Sequence, residues 1–564
     1  VTLTTDEVER EKAFRSDDYG AARRLGALAN AFPAREACVA VDGRGQPGAS
    51  MTYAALDRRA RAVAAILQTH ATPGDRVMLV FNAGLDFGAA LFACFYAGMI
   101  AVPVPAPRSA SAPAGRARLA AIAADAEPRF VLTGSAQLAA LRGGFPLDGP
   151  PLHWLAMEAV SDAEAGDLRE RPSAAGETAI LQYTSGSTAG PRGVEITHGN
   201  LAAIGRMIFD RFFHEESLTV VSWLPHFHDM GLIAGIVQTV FVGGRLVVLS
   251  PETFVKRPQV WLKVISDYRA SISGAPNFAY EHCLRRIEDP EPLALDLSSW
   301  RVAFNGAEPV RAATLERFAR RFASSQFRAD AFQPCYGLAE ATLMVTANKW
   351  GEPVRIGAEP RRLVSCGRSV DGQQLLIVDP ESMTVLPDGE TGEIWLSGPN
   401  VARGYFRNPS ATRAVFGAFT AAGEGPFLRT GDLGFIDDGE LFVSGRLKEL
   451  IIIDGRNLYP NELEATAEAS HEAIHRIAAF SVDAVDGERL VLVVETDERE
   501  RARNGVEAAE LERMIRAEVA TVHQVAPYAV VFAPRGTIGR TTSGKLQRVA
   551  CRTAYVEGRL GGTA

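Results

Sequence analysis

Between Gly74 and Thr133 the sequence alternates strand-like and helix-like apolar runs, and this alternation narrows the choice of fold more than any other feature. Gly74-Asp-Arg-Val-Met-Leu-Val-Phe81 reads as a buried strand, Leu85–Ala97 as a helix ended by Gly98, and Ile100–Val104 as a second strand. An Ala-rich helix is expected over Ala110–Glu127 and a third strand over Arg129–Thr133. Strand–helix–strand succession of this kind builds a layered α/β domain around a largely parallel sheet. Phe87 to Pro107 carries no charge over about twenty residues, the length of a membrane-spanning helix. Gly98, Pro103, Pro105 and Pro107 interrupt it, so a buried helix and strand are expected and no stable membrane insertion. Upstream, Thr52 is placed to cap a helix with apolar positions at Leu56, Val63, Ile66 and Leu67.

Ala179–Tyr183 and Val194–Thr197 read as two further short strands, joined by Thr, Ser and Gly residues whose only large side chain is Arg192. Glycines admit close backbone approach, and hydroxyls with turn amides form a nest for an anion such as a polyphosphate. An ordinary Gly/Ser hairpin loop has the same composition, so both readings stand on this stretch alone. Gly186-Ser-Thr-Ala-Gly-Pro-Arg-Gly193 lacks the Gly-Lys-Ser/Thr ending and following helix of a Walker A loop, which disfavours a P-loop ATPase. Lys+Arg 59 against Asp+Glu 67, with no long basic run, gives no nucleic-acid-binding surface. The 564 residues suffice for more than one domain. Six scattered cysteines and a charged N-terminus without an apolar core point to reduced thiols in a cytoplasmic protein.

Read whole, Tyr183-Thr-Ser-Gly-Ser-Thr-Ala-Gly-Pro-Arg-Gly-Val194 closely resembles the phosphate loop of the adenylate-forming enzymes: acyl-CoA synthetases, peptide-synthetase adenylation domains and luciferases. Arg192 stands where that family usually has Lys, so a forked donor replaces a point charge. The resemblance implies that Thr184, Ser185, Gly186, Ser187, Thr188 and Arg192 hold the phosphates of ATP. In Trp223-Leu-Pro-His-Phe-His-Asp-Met-Gly-Leu232, His226 and His228 beside Asp229 could be metal ligands, but no third ligand cluster accompanies them. The segment resembles the signature of one branch, the fatty acyl-AMP ligases. That likeness puts His228 over the reacting carboxylate and Met230–Gly231 at the border of an acyl tunnel; the plain alternative is a buried histidine holding a turn. Ser273-Gly-Ala-Pro-Asn-Phe-Ala-Tyr280 matches the same branch, with Gly274 and Asn277 lining the acyl pocket and small residues leaving room for the chain.

Further motifs follow in the family's order. Trp300–Pro309 reads as a strand ending in a turn at its carboxyl end, where open α/β sheets place ligands. The resemblance sets Gly306, Ala307 and Glu308 of that turn against adenine. In Phe332-Gln-Pro-Cys-Tyr-Gly-Leu-Ala-Glu340 it assigns Tyr336, next to Gly337, to adenine stacking and Glu340 to Mg2+. Asp432 of Leu428-Arg-Thr-Gly-Asp-Leu-Gly434 takes the ribose, with Arg446 beside it, and Lys448 is the hinge of Gly445–Pro460. Lys545, in a Ser/Gly loop, is the catalytic lysine that contacts the carboxylate and the α-phosphate. Glu449 replaces the usual Asp and Gly539 the usual Pro, while the Thr346–Ser365 segment is shorter than the branch's pattern.

The fold implied is α/β. A large adenylate-forming domain (1–445), with layered α/β sheets and a small antiparallel β subdomain, precedes a mobile α+β domain (446–564). The activity implied is ATP- and Mg2+-dependent conversion of a fatty acid to an acyl-adenylate with release of pyrophosphate. Transfer to the phosphopantetheine thiol of a holo acyl carrier protein would follow, in the setting of polyketide or nonribosomal-peptide assembly. The short Thr346–Ser365 segment keeps an acyl-CoA ligase using free CoA as the alternative. A non-catalytic binding homologue is opposed by the joint presence of Glu340, Asp432 and Lys545.

Overall fold

The computed structural model describes residues 20–107, 113–142, 152–184, 191–212, 218–358, 362–453, 456–484, 487–540 and 546–560. Alternation of side chains along the strands decides how the layers stack. In the strand Arg76–Phe81, Val77 and Leu79 face one apolar cluster while Met78 and Val80 face another. This strand lies inside a six-stranded sheet, where it pairs in parallel with Ile100–Pro105 and Phe130–Thr133. The helix Asp86–Ala97 is apolar all round because it is buried all round. It shares a cluster with Val77 and Leu79 of the six-stranded sheet and with Val220, Leu246 and Ile272 of a thirteen-stranded sheet. Gly98 ends it at φ 72°, a left-handed position that L side chains rarely adopt. The uncharged stretch is thus interior α/β structure, and among the described residues no helix is long and apolar enough to cross a membrane.

The outer face of the six-stranded sheet is covered by the helix Pro113–Ala126 through Leu119 and Ile122. The outer face of the larger sheet is covered by the helices Gln259–Asp267, Asn277–Arg286 and Ala312–Arg321. The closing antiparallel strands are not a separate sheet. Phe332–Gly337 pairs in parallel with Val302–Asn305 on one side and antiparallel with Met344–Ala347 on the other. Hydrogen bonding therefore runs without a break into Leu428–Asp437 and Glu440–Arg446, whose hairpin turns at Asp438–Gly439 with φ 52° and 75°.

After Arg446 a short turn, Leu447–Glu449, leads into a region with its own three-stranded sheet. Its strands are Arg476–Ala484, Gly487–Glu495 and Ala529–Ala533. The helices Pro460–Ala469 and Ala508–His523 cover one face, and Arg548–Val556 the other. This region reaches back to the rest of the chain through an ion pair between Arg311 and Glu468, Arg540 at 3.7 Å from Glu308, and Arg285 at 3.0 Å from His475 Nδ1. The boundary expected at 445/446 falls at the end of the last strand of the large sheet.

Candidate active site

A cleft of about 2200 Å³ opens where the carboxyl ends of the large sheet's parallel strands, the phosphate-loop hairpin and the C-terminal region meet. Thr184, Arg192, His228, Met230, Asn277 and the pair Ala307–Glu308 line it, as do Tyr336, Gly337, Glu340, Asp432, Arg446 and Lys448. Ser185, Gly186, Ser187, Thr188 and Lys545 lie outside the described residues. Gly231, Gly274 and Gly306 do not line the cleft; they are positions of close packing. A Cβ on Gly231 would lie 2.2 Å from Pro225 O, and one on Gly306 2.7 Å from Cys335 O. A Cβ on Gly274 would lie 2.3 Å from the Phe304 ring, so the room expected for a chain beside this glycine is filled by Phe304.

At one end the strand Val302–Asn305 runs into a turn at which Ala307 is held at φ 68°, uncommon for a residue with a side chain. Asn277 braces that turn, accepting from Arg311 N at 3.1 Å and from Asn305 Nδ2 at 3.4 Å. Glu308 accepts from Phe278 N, and Arg540 lies over the Phe278 ring at 5.3 Å. Tyr336 donates its hydroxyl to Asp432 Oδ2 at 2.8 Å, while Arg446 Nε approaches Asp432 Oδ1 at 3.0 Å. Burial pushes the Tyr336 phenol well above its usual range, and Asp432 raises Arg446. A carboxylate has about four lone-pair sites, so Asp432 can accept from a diol while holding both neighbours.

Another side of the cleft is built on the antiparallel hairpin Thr178–Thr184 and Arg192–Thr197, in which Thr184 faces Arg192. The Arg192 guanidinium lies 5.6 Å above the Tyr405 ring, and Tyr405 donates to Glu340 Oε1 at 2.8 Å. Tyr405 belongs to a segment, Gly398–Phe406, that sequence reasoning did not single out. Phe406 N donates to Gly193 O at 2.8 Å and Ala402 N to Glu340 O at 2.9 Å, so the segment ties this hairpin to the Glu340 turn. Asn400 Nδ2 donates to Ala341 O and Met344 O, and Thr342, a β-branched residue at φ 67°, donates to Asn400 O at 2.6 Å. Only such an over-determined surround keeps a threonine there. Glu340 with Oε1 bonded to Tyr405 leaves Oε2 for a cation. No group of three or more His, Cys, Asp or Glu that could hold a metal exists among the described residues. One carboxylate without a protein cage suits Mg2+ arriving on nucleotide phosphates.

The third wall carries the Pro225–Asp229 turn. His228 faces the cleft with Nδ1 at 2.6 Å from Asp229 Oδ1. His226 packs on Phe87 with ring centroids 4.2 Å apart, and among the described residues the His-x-His pair belongs to no metal-binding group. Beyond the turn, Met230–Val237 winds into wide π-helical turns in spite of Gly231 and Gly235. Met230 and Ala234 of these turns line the cleft, as do the apolar side chains of Ile208, Phe212, Phe304 and Leu343.

Burial pushes His226 and His198 down to about 4, and His198 is only 4% exposed. Between about pH 6.5 and 4 the unfolded chain holds a proton on His198 that the folded chain refuses, so this stability is complete above pH 6.5 and is lost as pH falls towards 4. The loss approaches about 3 kcal/mol, and thermal scans of His198→Gln against the unaltered chain should show a flatter pH dependence across that window.

Residues 27–406 match the family model described as AMP-binding enzyme, and residues 448–563 match that of the Disco-interacting protein 2-like AMP domain. The chain is 40% identical over 538 residues to the medium-chain-fatty-acid–[acyl-carrier-protein] ligase JamA of Moorena producens, covering 91% of this chain and 90% of that one. It is 37% identical to the long-chain-fatty-acid–AMP ligase FadD32 of Mycolicibacterium smegmatis, over 90% and 89% of the two chains. The Legionella pneumophila fatty acyl-adenylate ligase, solved in complex with acyl adenylate and pyrophosphate, superposes with a TM-score of 0.74. That alignment has 33% identity and covers 99% of this chain and 98% of that one.

Proposed function

The chain belongs to the AMP-binding enzyme family, in its fatty acyl-AMP ligase branch, and from that premise we propose that it activates a fatty acid with ATP and passes the acyl group to a carrier protein. In the first step the acid's carboxylate attacks the α-phosphorus of ATP, forming the acyl–AMP mixed anhydride and expelling pyrophosphate. In the second, a phosphopantetheine thiol attacks the acyl carbon, loses its proton and displaces AMP. The observation that carries the reading is the opening of three sets of residues into one cleft: the nucleoside set around Asp432, the Arg192–Tyr405–Glu340 set, and the His228 turn with the apolar side chains of the lining.

Each set would do one part of the work. Asp432, Tyr336 and the Ala307 turn would orient the nucleoside, and orientation is a large share of catalysis in such transfers. Arg192, with the hydroxyls and amides of the phosphate loop, would hold the leaving pyrophosphate; Lys545 would reach the α-phosphate. When bound at Glu340, Mg2+ would offset charge on the phosphate oxygens. For the second step the C-terminal region would turn about Lys448, releasing the Arg311–Glu468 and Arg540–Glu308 contacts. The relatives' names support a fatty acid as substrate and, for JamA, an acyl carrier protein as acceptor.

A panel of fatty acids with Mg-ATP and hydroxylamine tests this directly. Hydroxamate and pyrophosphate are expected for a subset of chain lengths, with faster turnover when holo-carrier protein is added than when free CoA is. Rapid acyl-CoA formation would overturn the carrier step, and no mixed anhydride from any acid would overturn adenylation itself.

A further inference from the structure

His228 sits on a five-residue turn at the end of a strand of the large sheet, whereas the phosphate loop leaves the six-stranded sheet. The carboxylate and the α-phosphorus meet in line only if these two sheets hold their loops in fixed relation. One side chain spans the gap. Gln182, on the strand Thr178–Thr184 two residues before the loop begins at Thr184, is 3% exposed and donates its Nε2 to Phe227 O at 2.8 Å. The acceptor belongs to the peptide unit whose nitrogen is His228 N, and that nitrogen donates to Pro225 O at 3.0 Å. Both ends of one rigid plane are thus held, which sets where the His228 Cα lies. The turn has a second anchor in His226, whose ring packs on Phe87 of the helix that follows the strand Arg76–Phe81.

We propose that Gln182 is a positioning residue for the adenylation step: through the Phe227–His228 peptide it registers His228 against the phosphate loop. The inference rests on the fatty acyl-AMP ligase reading. In this assignment Gln182, which lines the cleft, acts through the one amide N–H that it gives to Phe227 O and not on the nucleotide. Loss of that bond leaves ATP binding intact and misplaces the reacting carboxylate, and small misplacements carry large rate penalties.

Two variants separate these effects in the full-length chain. Gln182→Leu removes donor and acceptor in a shorter side chain; Gln182→Met removes both while keeping the length of the side chain. With Mg-ATP and the straight-chain fatty acid that the unaltered chain turns over fastest, both should lower kcat for hydroxamate formation tenfold or more while KM for ATP stays within twofold. In a His228→Ala background the Gln182→Met change should add less than twofold, because the residue acts through His228. Unchanged kcat in folded single variants overturns the inference, as does a full multiplicative penalty in the double variant or a raised KM for ATP with normal kcat. The ring signals of His228, assigned with His228→Ala, give a readout independent of turnover: they should shift in Gln182→Met, and unmoved signals overturn the proposal. An unaltered chain that makes no hydroxamate would sink the functional reading, and the ring signals would still decide the role of Gln182.

Discussion

Glu340→Gln is expected to slow fatty-acid-dependent pyrophosphate release by at least about a hundredfold, in a chain that folds normally. Every contact that shapes the Glu340 turn survives this change. Tyr405 can still donate to the amide oxygen, Ala402 N still bonds to the backbone carbonyl, and the Asn400 network under Thr342 is untouched. Only the negative charge is removed, from the wall of the cleft where the proposed reaction gathers phosphate oxygens. Losing one such electrostatic contact costs about 3–4 kcal/mol of barrier. Tyr405→Phe keeps the carboxylate and the ring beneath Arg192 but frees the Glu340 rotamer, so a smaller fall of about tenfold is expected. Raising Mg2+ should recover part of the Tyr405→Phe deficit and none of the Glu340→Gln deficit. Turnover by Glu340→Gln within a few-fold of the unaltered chain would remove Glu340 from the cation site.

What the sequence revealed and what it hid divide along the range of the contacts involved. The layers were legible because Val77–Phe81 is an unbroken apolar run, as in a strand buried on both faces, and because Gly98 stands where the backbone turns left-handed. The fatty acyl-AMP ligase branch was legible because several motifs stand in one order. Tyr405 was not legible: it meets Glu340 across 65 residues of sequence, and nothing in Gly398–Phe406 marks a partner at that distance. The continuity of the large sheet was hidden for the same reason, since the strand Phe332–Gly337 looks the same whether its second neighbour is parallel or antiparallel. The small residues around Gly274 suggested open space, but a glycine also admits a large neighbour, and Phe304 is that neighbour. Gln182 looked like one more strand residue, because its partner Phe227 comes from the other sheet.

A large loss of stability from one substitution is expected at Arg429, and its consequence reaches the proposed nucleoside site. Glu393 is 2% exposed at its side chain, with Arg429 Nε at 2.9 Å and Nη2 at 2.6 Å on one oxygen and Gly431 N at 3.1 Å on the other. Arg429→Met strands that carboxylate in the interior, and an orphaned buried charge costs about 3–5 kcal/mol. Thermal denaturation should register it as a drop of several degrees, since Arg429 is itself only 26% exposed and little water replaces it. Glu393→Gln should cost less, because a neutral amide can still accept from Gly431, and adding it to Arg429→Met should restore part of the loss. Gly431, at φ 70°, directly precedes Asp432, so the carboxylate that fixes its N–H also fixes the residue that holds Tyr336 and Arg446. Arg429→Met should therefore raise KM for ATP even well below its melting temperature, while Glu393→Gln leaves that constant close to normal. Were Arg429→Met as stable as the unaltered chain, the pair would contribute nothing to stability and the Asp432 turn would owe its shape to the strands alone.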